Sequence, residues 1–214
     1  FIEYLHLKAS STSFTRMTSA QKALVKHHAH EYLQMGGFPL ILKENNLDIL
    51  SDYFRDILYR DIIARYGLSR TEEIRQLAIF LASNVGKRFS YRTLQTVSGL
   101  KSTHSVKDYL DYFRQSYLFY TVKKFDYSIK KQNANPQKVY AVDSAFANKL
   151  GFRFTEDRGR LLENVIYIEL LRRKKEVFYH SDAATECDFI VRKGIKVTAA
   201  LQVCWTLHHE NLNR

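Results

Sequence analysis

The chain has 214 residues, with 33 Lys and Arg against 22 Asp and Glu, a net charge of +11 and a pI near 9.6. Apolar residues at 45%, with 14 Phe and 14 Tyr but only 8 Gly and 2 Pro, exclude a disordered basic tail, a collagen-like repeat and an all-β sandwich. Two cysteines exclude a disulfide scaffold and fit a reducing cytoplasm, while the longest apolar run, Leu77 to Ala82, falls far short of the roughly 20 residues that span a bilayer.

In chain order, residues 20–34 read as a helix stopped by Gly36-Gly37, with Pro39 beyond. A second helix is expected at about 47–66, where Leu47, Leu50, Phe54, Ile57, Leu58, Ile62 and Ile63 recur at spacings of three and four. Residues 1–66 thus form a helical segment. The middle third has a different rhythm. Helices are expected at 71–84, 91–97 (with Ser90 as N-cap and Gly99 beyond its end) and 103–116. Strand-like runs at 118–126 and 137–142 follow, joined by a basic connection, Tyr127 to Pro136. Three helices followed by a hairpin is the order of a winged helix-turn-helix, here residues 67–142. The remainder, 143–214, predicts a helix at 157–174 and short strands at 176–180, 185–192 and 195–205, with Gly194 at the last turn. The expected class is α+β.

Charge is unevenly spread. Residues 67–150 hold 14 basic and 6 acidic groups, against 8 and 7 before them and 11 and 9 after. An excess of that kind suits an anionic partner, because Lys and Arg contacts to phosphates release counterions. The candidate nucleic-acid contacts are Lys107 and Arg114 on the recognition helix, and Lys123, Lys124, Lys130, Lys131 and Lys138 on the wing. Asp108 and Asp111 on the same helix oppose phosphate, so docking of a protein is the alternative use of this module.

In the last third, Glu163 faces the apolar side of its helix and Asp188 lies on the second strand. Carboxylates converging from such elements could hold a divalent ion that activates water for phosphodiester cleavage. Gln202 can offer only a neutral carbonyl and Cys204 no ammonium, so a third acid and a lysine are wanting. His27, His28 and His30 with Glu31 read as a solvated helix face, as do His208-His209-Glu210. Gly86-Lys87 lacks the upstream glycine of a P-loop, and Cys187 and Cys204 are expected on opposite sheet faces, unpaired.

Several of these residues resemble the C-terminal part of prokaryotic AAA+ ATPases that carry a C-terminal domain of unknown function. The resemblance is carried by Phe1-Ile2-Glu3-Tyr4-Leu5, by Tyr32-Leu33 with Gly36-Gly37-Phe38-Pro39, and by Tyr59 through Tyr66. It continues in Phe125, Tyr127-Ser128, Lys130-Lys131-Gln132, Lys138-Val139-Tyr140 and Asp143, then Gly159 through Asn164 and Cys187-Asp188-Phe189. It implies a preceding ATPase domain that would bind ATP and Mg²⁺, a winged helix, and a restriction-endonuclease-like module at 143–214. The Phe at position 1 agrees with a piece cut from a longer chain. The resemblance makes Glu163, Asp188 and Gln202 the positions of a nuclease-like catalytic site, with Glu163 and Asp188 the ligands of any Mg²⁺. Gln202-Val203-Cys204 stands where many relatives have Glu-Val-Lys, which removes charge and argues against cleavage. The function expected is a cytoplasmic nucleic-acid-binding, regulatory region that itself holds no cofactor, with DNA, the ATPase domain and further copies of the chain as partners, and no membrane. The alternatives are a metal-dependent DNA nuclease and a protein-docking arm of the ATPase.

Overall fold

Helices dominate the first half of the chain. The computed structural model describes residues 1–8, 17–151, 157–183 and 185–206, so His208, His209 and Glu210 lie outside the described residues. After α1 (Ile2–Leu7), α2 (Ser19–Met35) opens on a capping box in which Thr18 and Gln21 satisfy each other's main-chain N–H groups. Gly36 ends it at φ 72°. Pro39 then starts α3 (Pro39–Glu44), where its missing N–H costs nothing.

The expected helix at 47–66 is one rod with two windings. Helix α4 (Ile49–Asp56) runs directly into a π-helical stretch, Ile57–Ala64. Leu50, Phe54, Leu58 and Ile62 are all buried along it. A strict four-residue repeat drifts around an α-helix, which has about 3.6 residues per turn, and the wider π winding returns it to the core.

The middle third holds the three expected helices, with a short strand the sequence reading lacked between the first two. Helix α5 (Thr71–Ser83) leads to β1 (Arg88–Phe89), then α6 (Tyr91–Ser98) and α7 (Thr103–Gln115). Ser90 and Ser102 cap α6 and α7 by accepting the N–H groups of Thr93 and Ser105. Strands β2 (Phe119–Lys123) and β3 (Gln137–Ala141) pair antiparallel, and β1 adds to the other edge of β3. The sheet order β1-β3-β2 makes β3 the central strand. The connection between β2 and β3 holds a helix absent from the sequence reading, α8 (Ile129–Ala134), capped by Ser128.

Helix α9 (Ser144–Leu150) follows at once, and α10 (Arg158–Arg172) precedes an antiparallel meander of β4 (Glu176–Ser181), β5 (Glu186–Lys193) and β6 (Lys196–Leu201). Gly194 takes φ 62° in the last turn. Strand β6 stops at Leu201, short of the run expected to reach residue 205. The fold is α+β, with two small antiparallel sheets. One continuous set of buried apolar side chains runs from Leu33 to Phe189 and includes Val139, Tyr140 and Ala141 of β3, a strand whose five residues are all buried. Among the described residues, no helix is long and apolar enough to cross a membrane.

Candidate functional site

The site forms where β3 meets α10 and β5. Asn164 of α10 reads the main chain of Ala141 as a neighbouring strand would: its Oδ1 accepts the Ala141 N–H at 2.8 Å and its Nδ2 donates to the Ala141 carbonyl at 3.0 Å. That pairing sets the depth of the preceding residue on the helix, Glu163. The Glu163 carboxylate accepts the Tyr140 hydroxyl at 2.6 Å and the Lys138 ammonium at 3.0 Å. Lys138 also donates to Asp188 of β5 at 3.0 Å and lies 3.6 Å from the more exposed Glu186. The second oxygen of Asp188 accepts the main-chain N–H of Val203 at 3.0 Å.

All three charged side chains are buried, Lys138 being only 3% exposed. Burial pushes the Glu163 carboxyl above the usual carboxylate range; Lys138 counters this and the like charge of Asp188 adds to it. Burial works against the Lys138 ammonium, yet the Coulomb attraction of Glu163 and Asp188 prevails and holds its pKa above the ordinary lysine value. Beneath the cluster, Tyr140 stacks on Tyr167 at 4.4 Å between ring centroids, and both pack near Phe189. Gly86 closes the other side: a Cβ there would lie 3.4 Å from Glu163 Oε2.

A second polar knot fixes the neighbouring end of β3. Asp143 accepts the N–H of Gly37 at 2.8 Å and that of Ala145 at 2.7 Å. Burial raises its pKa, and these two donors oppose the rise. A Cβ on Gly36 would fall 1.9 Å from Asp143 Oδ1, so the glycine is required by contact as well as by its φ.

Residues 26–157 match the family described as Domain of unknown function (DUF8612), more than half of the chain and inclusive of the Gly36–Asp143 knot and Lys138. The chain belongs to that family. It is 28% identical over its whole length to an uncharacterised protein, MJ1544, of Methanocaldococcus jannaschii, covering 50% of that protein. It is 31% identical over 92% of its length to an uncharacterised protein of Haemophilus influenzae, covering 49% of it. The chain therefore spans about half the length of the curated relatives it matches. No solved structure matches it.

The expected site residues of this DUF8612 chain separate into two groups. Glu163 and Asp188 converge as expected, but on a lysine taken for a wing residue. Lys138 is not available to nucleic acid, a correction with a simple cause: it sits on the central strand, walled by β1 and β2, and its charge is spent on two buried acids. Gln202 is exposed beyond the end of β6, and the contact that segment makes with Asp188 comes from the Val203 main chain. Of the other basic candidates, Lys130 and Lys131 are exposed on α8, and Lys107 is exposed with its ammonium 5.0 Å from the Tyr91 ring centre. Lys123 donates to Asn133 at 2.7 Å, and Lys124 bridges to Tyr179 through its main chain. Arg114 is engaged by Asp111, which offsets that acid, and His104 lies 3.8 Å from Asp108. His28 departs from the solvated reading: it is buried, with Nδ1 2.9 Å from Glu31, which also accepts the Tyr4 hydroxyl. Cys187 and Cys204 are both free thiols.

The donor set does not fit Mg²⁺. A divalent ion needs the point on which Glu163 and Asp188 converge, and the Lys138 ammonium lies 3.0 Å from both. Among the described residues, no three His, Cys, Asp or Glu side chains group as a metal site. As arranged, the cluster ties β3 to α10 and β5 with an internal cation.

Proposed function

We propose that this chain is the nucleic-acid-binding, regulatory C-terminal region of an AAA+ ATP-binding protein, with a nuclease-like module that serves structure and not cleavage. The reading is supported by a chain that spans half of its relatives, which leaves room for an ATPase domain that would hold ATP and Mg²⁺. A winged helix-turn-helix is supported by the order α5, β1, α6, α7, β2, β3 and by the sheet order β1-β3-β2. The restriction-endonuclease-like reading of residues 143–214 rests on α10, the β4–β6 meander and the meeting of Glu163 with Asp188, and a cytoplasmic location goes with it.

The observation that carries nucleic-acid contact is the exposed basic face of the hairpin. Lys130 and Lys131 protrude on α8 and form no salt bridge among the described residues. Nearby, Arg88 and Lys124 line a groove of about 300 Å³ with Ser90, Thr93 and Asn135, a set of cations and neutral donors suited to a phosphate backbone. Fluorescence anisotropy with labelled duplex and single-stranded DNA across a salt series tests the reading. Binding should weaken steeply with salt, and Lys130→Glu with Lys131→Glu should weaken it further and lower the log–log slope by about two. No binding at low salt, or binding indifferent to both substitutions, rejects it. Tyr127 and Ile129, 79% and 73% exposed beside these lysines, favour protein docking as the second reading. Retention of the isolated ATPase domain by wild type, lost in Tyr127→Ser with Ile129→Ser, is its test.

A further inference from the structure

A cleft of about 480 Å³ opens where the end of α7 and strand β2 meet α10. Its size lies within the roughly 300–1,000 Å³ of small-ligand sites. It is separate from the ion cluster, although aromatic rings connect the two: Tyr120 lies 6.2 Å from Tyr167, which stacks on Tyr140. Arg65 and Arg114 contribute guanidinium donors, Arg114 with two of its nitrogens already on Asp111, and no carboxylate is among the lining residues themselves. Arg65, from the end of the first rod, forms no salt bridge among the described residues; the nearby Asp61 is held by Arg60 at 2.9 Å. Tyr120 and Tyr167 also line it, their hydroxyls have no hydrogen-bond partner among the described residues, and burial raises the pKa of both.

The rim holds the telling residue. Tyr117 is 70% exposed and adopts φ 59°, a left-handed conformation in the position after α7 where glycine usually stands. A bulky aromatic residue there is both strained and unpacked, so neither backbone nor core accounts for the choice. Strain of this kind collects at ligand sites. An exposed phenol ring beside two arginines provides a stacking platform and phosphate donors within one small volume.

We propose that this cleft binds a nucleotide unit, with the base stacked on Tyr117 and the phosphate held by Arg65 and Arg114. The proposal deepens the nucleic-acid reading above by assigning the face that would engage an unpaired base. The nucleotide can belong to a single strand or be free, and one experiment separates these sources. The intact chain is titrated with fluorescent single-stranded oligothymidylate, followed by anisotropy, and with thymidine monophosphate, followed by calorimetry. Tyr117→Asn, which tolerates the left-handed backbone, and Arg65→Gln should each weaken binding at least about fivefold, with circular dichroism unchanged. Such losses with the strand assign a strand site; the same losses with the monophosphate alone assign a free-nucleotide site, and either supports the cleft. Wild-type affinity in both variants overturns it, and if Lys130→Glu with Lys131→Glu still weakens the strand, the hairpin reading survives without it. No binding of either probe overturns the cleft as well.

Discussion

At the scale of single residues, Lys138 has two acids and one proton-bearing nitrogen to satisfy, and each substitution has its own sign. Lys138→Met leaves Glu163 and Asp188 facing each other in the core, and uncompensated buried charge of that kind costs about 3–5 kcal/mol. Adding Glu163→Gln and Asp188→Asn removes the charges and should return most of the loss in urea unfolding. Millimolar Mn²⁺ should leave the thermal midpoint of the wild type unchanged, because the ammonium holds the cation position, and should raise that of Lys138→Met. A wild-type midpoint that rises with Mn²⁺ in a Glu163-dependent way rejects the assignment. Titration adds a further check. Glu163 has a folded pKa above its unfolded value, so between the two the folded chain carries more protons and stability falls as pH rises. Below the unfolded value this contribution is flat. Glu163→Gln should remove that falling component, seen as a difference between variant and wild type across the acidic range, while the similar contribution of Asp143 stays in both. The Lys138 pKa is also raised, and its contribution is full below the ordinary lysine value and lost as pH climbs through the folded one.

At the scale of elements, the seam between β3 and α10 depends on groups that hold main chain. Asn164→Ala strips partners from both the N–H and the carbonyl of buried Ala141, which should cost about 2–4 kcal/mol in urea unfolding. A cost below about 1 kcal/mol would mean that water replaces the amide. The same seam shows what the sequence could convey. Helices α5, α7 and α10 announced themselves by apolar spacing, α6 by its cap at Ser90 and the Gly99 beyond it, and α2 by the stop at Gly36-Gly37. Helices α1, α3, α8 and α9 run for only six or seven residues, too short for a 3.6-residue period to emerge, and the basic, Asn-containing α8 looked like a loop. Glu163 was legible because a charge on an apolar stripe is anomalous. Lys138 was not: every residue of β3 is buried, so there is no alternation of inward and outward positions to mark a lysine as internal. Nor does chain distance suggest that Gly36-Gly37 and Asp143 touch, since only the packed helices bring them together.

At the scale of the whole molecule, β3 is the common member. Its flanks pair with β1 and β2, Lys138 and Tyr140 reach Glu163 on α10, Lys138 reaches Asp188 on β5, and Asp143 beyond its end clasps Gly37. Buried contacts therefore pass from the N-terminal helices through the first sheet to the second, partly apolar and partly through the Lys138 ion cluster. Segments joined in this way lose their neighbours' packing if they open alone, so the chain should unfold in one transition although it carries two sheets. Trp205 is the one tryptophan in the sequence, and it packs against His30 of α2 at 4.9 Å between ring centroids. Its fluorescence thus reports on the contact between the N-terminal helices and the segment after β6, whereas far-ultraviolet circular dichroism reports on all the helices. The two signals should give coincident urea curves. Asn164→Ala should shift both to the same lower midpoint, because the seam it weakens belongs to every part at once. If Trp205 reports an earlier transition while the helical signal persists, the segment after β6 opens independently and β3 is not the common support.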